Sequence, residues 1–181
     1  MHELIEQELY VALRYAKSVD EELGKRLMIQ FEIDQPVLFQ TLFNTFSDII
    51  AQRHQELAYL FMDLCFETLC VYQQAFGKMP KFKDDPNWME RQVALLDKEL
   101  KPLLTHKTAD HKRSQRMKAQ FFSEKDGEII QHGLVRFLHQ SVDEYVSTDS
   151  SCDPASVEMT KTMLFVVMRL FNNLYSQPTL H

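Results

Sequence analysis

QPVLFQTLFNTFSDIIAQRHQELAYLFMDLCFETLCVYQQAF, residues 35–76, decides the fold class. It holds no Gly, and Pro occurs only as its second residue, Pro36. Asp34 stands before it and Gly77 just after. An acidic N-cap, an early proline and a glycine stop frame one long helical run. Phe39, Leu42, Phe43, Phe46, Ile49 and Ile50 form an apolar stripe. Leu57, Leu60, Phe61, Leu64, Cys65, Leu69, Tyr72 and Phe76 resume it after the polar interruption Gln52-Arg53-His54-Gln55-Glu56. A straight helix of this length extends about 60 Å, whereas a domain of this size has a radius of gyration of about 16 Å. The stretch is therefore expected to kink near residues 51–56 or to project into a partner.

The flanking sequence carries the same helical period. Upstream, Ile5, Leu9, Ala12, Leu13, Ala16, Val19, Leu23, Leu27 and Phe31 step by three and four, predicting one amphipathic helix over about 2–30. Ser18 with Glu21 has capping-box spacing, which marks the place where that helix would break. Downstream, Gly77 to Pro86 reads as a loop, and Asp85-Pro86 as the cap of a helix that Pro102 ends or kinks. A short basic helix is expected at 108–122. Ser123 with Asp126 is the next start signal, for a helix bearing Ile129, Ile130, Leu134, Phe137, Leu138, Val142 and Tyr145. After a loop at 147–153, Asp153-Pro154 opens a last helix over 154–176. That helix is apolar on most sides between Met163 and Leu174, the mark of a central member. No strand pattern of useful length appears. The reading is all-α, a single domain over 1–181, with five or six helices packed antiparallel around one long, kinked member at about 35–76.

Composition bounds the function. An apolar share of 45% with 13 Phe builds a substantial core, and 25% charged residues are ordinary for a soluble globular protein. Three cysteines and an acidic start without a basic signal region point to a reducing compartment, the cytoplasm. Cys65 and Cys70 are five residues apart on one helix and point about 140° away from each other, so they do not bridge. The most apolar stretch, Met163 to Met168, is far short of the roughly 20 residues a membrane span needs. With four Gly in all, glycine-rich nucleotide loops are excluded, and no nucleophile elbow or Cys-x-x-Cys occurs.

Three constellations carry titratable chemistry. Glu56, Asp63 and Glu67 fall at i, i+7 and i+11 on one face of an otherwise apolar helix, where bundle proteins place inward carboxylates for metals. The Glu-x-x-His repeats of such sites are missing, and a thin solvated stripe is the plainer reading. Glu128, His132, His139 and Asp143 step by four, seven and four along one face, a spacing that suits a metal or a proton relay. Their polar neighbours Gln131, Arg136, Gln140 and Glu144 favour a solvated face. Third, the net charge of −6 hides a basic middle: residues 78–118 hold eleven Lys/Arg against six Asp/Glu. Lys107, Lys112, Arg113, Arg116 and Lys118 are its candidate residues for an anion or an acidic partner. Nucleic acid needs a broader basic footprint than a pI near 5.6 allows.

The expectation is a non-catalytic protein-interaction or regulatory module, with no cofactor, no bound metal, no membrane and no nucleic acid. Its surplus of apolar helix faces, above all Met163–Leu174 and Tyr59, Met62, Phe66 and Cys70, suggests a homodimer. The alternative is a bundle with an internal small-molecule or carboxylate/His metal site.

Overall fold

The structure, a computed structural model, describes residues 1–81, 87–92, 94, 129–149 and 151–176. Among these the protein is all-α, with seven α-helices and no strand. They are α1 (Glu6–Ser18), α2 (Glu21–Asp34), α3 (Pro36–Gln40), α4 (Ser47–Ala51), α5 (Gln55–Phe76), α6 (His132–Thr148) and α7 (Pro154–Tyr175). A π-helical stretch, Thr41–Phe46, joins α3 to α4. Besides these seven, residues 88–92 are helical, and Trp88 and Met89 are buried there. The basic residues Lys107, Lys112, Arg113, Arg116 and Lys118, the caps expected at Asp85 and Ser123, and Glu128 lie outside the described residues.

The first segment is two helices, not one. Asp20 takes extended backbone and its carboxylate accepts from the Leu23 amide at 2.8 Å. It is therefore Asp20 that caps the second helix, while Ser18 Oγ donates back to the Tyr15 carbonyl and takes no part in a capping box. Asp34 likewise is not a cap. It is the last residue of α2, and Gln35 (φ −140°, ψ 64°) takes the non-helical position before Pro36. The long run does break where its apolar stripe lapses. Helix α4 ends at Ala51, and His54 in extended backbone restarts the chain as α5. The π stretch was not legible in the sequence. Thr41 Oγ1 donates to the Val37 carbonyl and Ser47 Oγ to that of Phe43, which draws acceptors away from the regular ladder. At the far end of α5, Gly77 has φ 87°, a value only glycine takes without strain, and its amide closes on the Gln73 carbonyl.

Helix α6 begins at His132, so Ile129 and Ile130 precede it rather than ride on it. The cause is a competing set of side-chain bonds. Gln131 accepts the Leu4 amide at 2.8 Å and donates to the His2 carbonyl at 2.8 Å, pinning the N-terminal segment. Asn172 donates to the Ile129 carbonyl at 2.6 Å. Asp153 caps α7 as the Asp-Pro pair implies, accepting from the amides of Ala155 and Ser156.

Helix α7 lies in the middle. Met163, Leu164, Phe165, Val166, Val167, Met168, Leu170, Phe171 and Leu174 are all at most 3% exposed. Helix α5 packs against it, α1 covers α5, and α6 covers α7. Burying apolar side chains stabilises by about 1.5–3 kcal/mol each, so this pair dominates the fold. A polar seam crosses it: Tyr72 Oη donates to Asn172 Oδ1 at 2.5 Å and lies 3.2 Å from the Met168 carbonyl. Burial, with Tyr175 nearby, holds the Tyr72 phenol well above its ordinary pKa.

Glu67 is the exception on α5. Its Oε2 is buried without a hydrogen-bond partner, and Lys17 stands 3.9 Å from Oε1. Burial raises its pKa above the usual 4.5, Lys17 opposes the rise and Asp63 adds to it. A carboxyl whose folded pKa lies above its unfolded one binds more protons when folded, so its contribution to stability falls as pH rises through that window. Glu67→Gln is therefore expected to raise the urea midpoint at pH 7 and to flatten its dependence on pH above the ordinary carboxyl value of 4.5. A lower midpoint at pH 7 would show that the Lys17 contact outweighs desolvation.

Candidate functional site

The polar interruption that breaks the long run also presents His54. As N-cap of α5 its ring is oriented by a backbone bond: Nδ1 accepts the Leu57 amide at 3.2 Å. The opposite ring edge faces the α6–α7 connection, where Asp149, Ser151 and Cys152 meet it. From His54 Nε2 it is 2.9 Å to Ser151 Oγ, 3.4 Å to Cys152 Sγ and 3.7 Å to Asp149 Oδ2. Asp149 is held in turn. It accepts from Ser151 Oγ at 2.6 Å, from the Ser151 amide at 2.9 Å and from Tyr145 Oη at 3.3 Å. The Ser151 bonds, side chain first, keep the Asp149 carboxyl below its ordinary pKa. The site is half-buried, with His54 12% and Asp149 28% exposed at the side chain.

The hydrogen-bond pattern settles what this cluster does not do. Because Nδ1 is an acceptor, the neutral imidazole carries its proton on Nε2. That proton points to Ser151, whose hydroxyl passes its own to Asp149. A thiol beside a protonated Nε2 finds no base in the imidazole. Burial, followed by the carboxylates of Asp149 and Asp153, also pushes the Cys152 thiol up. Cys152 is thus not an activated nucleophile of the Cys–His kind. In this state the cluster fastens the α6–α7 connection to the helix break.

The sequence candidates sit elsewhere and do not converge. Glu56 and Asp63 are exposed, and Glu67 is half-buried against α1. Burial raises the Asp63 carboxyl as well. His132 is exposed at the first turn of α6. His139 and Asp143 both turn to Lys161 on α7: His139 Nε2 lies 3.2 Å from the Lys161 carbonyl, and Lys161 Nζ donates to Asp143 at 2.6 Å. Burial lowers the His139 pKa. Among the described residues, the one group of three or more potential ligand side chains that come together is His54, Asp149 and Cys152. His54 stood in the polar run and Cys152 was the odd cysteine, but the separation of about a hundred residues hid their pairing.

An open groove of about 550 Å³ lies between the α1–α2 region and the end of α5, lined by Tyr15, Gln30, Asp34, Gln73, Lys78 and Met79 among others. No helix among the described residues is long and apolar enough to cross a membrane. Comparison with known proteins finds no matching family model, no matching curated protein and no matching solved structure.

Proposed function

We propose that the chain is a non-catalytic helical interaction module that pairs with a second copy of itself through the outer face of α2. The observation that carries this reading is the imbalance of that helix. Its fully buried residue is Phe31, while Ile29 and Ile33 on the opposite side are 59% and 66% exposed. Val37, at the start of α3, is 44% exposed. The faces first expected to mediate pairing are otherwise engaged: Met163–Leu174 is buried within the protomer, Cys70 is buried, and Met62 and Phe66 are half-buried. Tyr59 alone of that set is exposed.

Charge supports a second copy as the occupant. At about 100° per residue, Lys25 and Glu32 fall on the same side of Ile29. A two-fold antiparallel pairing centred near Ile29 brings Lys25 of each copy to Glu32 of the other, with the isoleucines between. One helix pair buries less than the roughly 800 Å² per partner of a standard interface, so the dimer is expected to be weak and concentration-dependent. Three free cysteines fit a cytoplasmic setting. Light scattering across a dilution series reaching high micromolar concentration tests the reading. Mass is expected to rise toward the dimer with concentration, and Ile33→Glu to abolish the rise without lowering the melting temperature of the monomer. A monomer mass at every concentration rejects it.

A further inference from the structure

We propose that His54, Asp149 and Cys152 form a binding site for a divalent cation of the zinc class. This goes beyond the pairing of chains and does not depend on it. The separations suit the cation. Bond lengths of about 2.3 Å to sulfur and about 2.0 Å to nitrogen or oxygen place ligand atoms about 3.3–3.6 Å apart around a tetrahedral ion. Here nitrogen and sulfur are 3.4 Å apart, nitrogen and carboxylate oxygen 3.7 Å, and all three ligand atoms lie within 4.8 Å of one another. A thiol, an imidazole and a carboxylate together are the donor set of zinc or cobalt rather than of magnesium or calcium, which take oxygen ligands.

The scaffold around these donors is of the kind that fixes metal ligands. His54 stands at the start of α5, Asp149 is oriented by Ser151 and Tyr145, and Cys152 is followed by Asp153, the cap of α7. Asp149 and the neighbouring Asp153 bring negative charge to this place, which favours a dication there. Three protein ligands leave a fourth position, which Ser151 Oγ or water can take.

Binding has a defined local cost. Ligation through Nε2 moves the imidazole proton to Nδ1, and the thiol proton leaves to solvent. The Leu57 amide then loses its acceptor. An N-cap of this kind corresponds to about a fivefold loss of affinity, small beside the many orders of magnitude that thiolate and imidazole ligation supply. Ion binding is thus coupled to the helix break, since the ring that caps α5 is the ring that takes the ion.

Titration of the reduced, chelator-treated full chain with Co2+ tests the site. The expected result is a sulfur-to-cobalt charge-transfer band that saturates at one ion per chain and is bleached by Zn2+. Cys152→Ser is expected to remove the band, and Asp149→Asn to weaken binding at least tenfold. His54→Ser retains an oxygen able to cap α5 and removes the imidazole, so it is expected to lose binding while keeping its helical circular dichroism. Cys70→Ala is expected to leave the band intact, since Cys70 is buried in the core. Absence of a charge-transfer band at near-millimolar Co2+, or its persistence in Cys152→Ser, overturns the proposal. So does unchanged affinity in both His54→Ser and Asp149→Asn.

Discussion

Phe31→Ala is expected to lower stability by about 3–5 kcal/mol, the range for removing a fully buried aromatic. Phe31 is 1% exposed and touches three other rings. Phe39 and Phe43 meet it edge-on at 5.7 and 6.2 Å between centroids, and Phe171 meets it tilted at 5.9 Å. It ties α2 to the start of the next helical stretch and to the central α7 at once. A shift of roughly 6–20 °C in melting temperature follows for a chain of this length. Trp88, the sole tryptophan, is 4% exposed and reports the core by fluorescence. Leu23, Leu27 and Met28 are only half-buried, so the loss should be felt first in α2 itself. Hydrogen exchange is expected to show amides of 21–34 losing protection before those of α7. Equal loss in both helices would mean that α2 is held by more than this ring.

Asn172→Leu is expected to cost about 1–3 kcal/mol, although it puts an apolar side chain into an apolar core. Asn172 is 2% exposed and serves three partners. It accepts from Tyr72 Oη, and its amide nitrogen donates to the Ile129 carbonyl and to Met168 Sδ. Without it the hydroxyl keeps only the longer bond to the Met168 carbonyl, and the half-buried Ile129 carbonyl and Met168 Sδ lose their donor. A buried group left unpaired costs about 1–3 kcal/mol, whereas removing both partners together costs less. Urea denaturation of Asn172→Leu, Tyr72→Phe and the double variant should therefore show a coupling of about 1 kcal/mol. Additive effects would place the role of Asn172 at Ile129 and Met168 rather than at Tyr72.

Local chemistry was legible where one signal acted without rivals. Asp153-Pro154 caps α7, Gly77 stops α5, and the polar run 52–56 breaks the long stretch because no apolar side chain there can pack it straight. The signals failed where a side chain had a distant use. Gln131 is spent on His2 and Leu4, so α6 starts later than its apolar period implies. Asp20 outcompetes Ser18 for the cap because its carboxylate reaches the Leu23 amide while the serine hydroxyl turns back on its own helix. Face-sharing also misled. Glu56, Asp63 and Glu67 do share one side of α5, but the fold leaves two exposed and sets the third against α1.

The sequence by itself determined the all-helical class, the central place of the last helix and the break near residue 54, because each follows from periodicity, caps and composition within one segment. Only the tertiary structure decided which apolar faces stay uncovered and which polar side chains meet. The Met163–Leu174 helix has its apolar sides buried by neighbours within the protomer, and α2 keeps Ile29 and Ile33 outside. His54 and Cys152 are 98 residues apart and come within 3.4 Å because the α6–α7 connection returns over the start of α5. Periodicity records which way a side chain leaves its own helix. What waits there is set by how the helices pack.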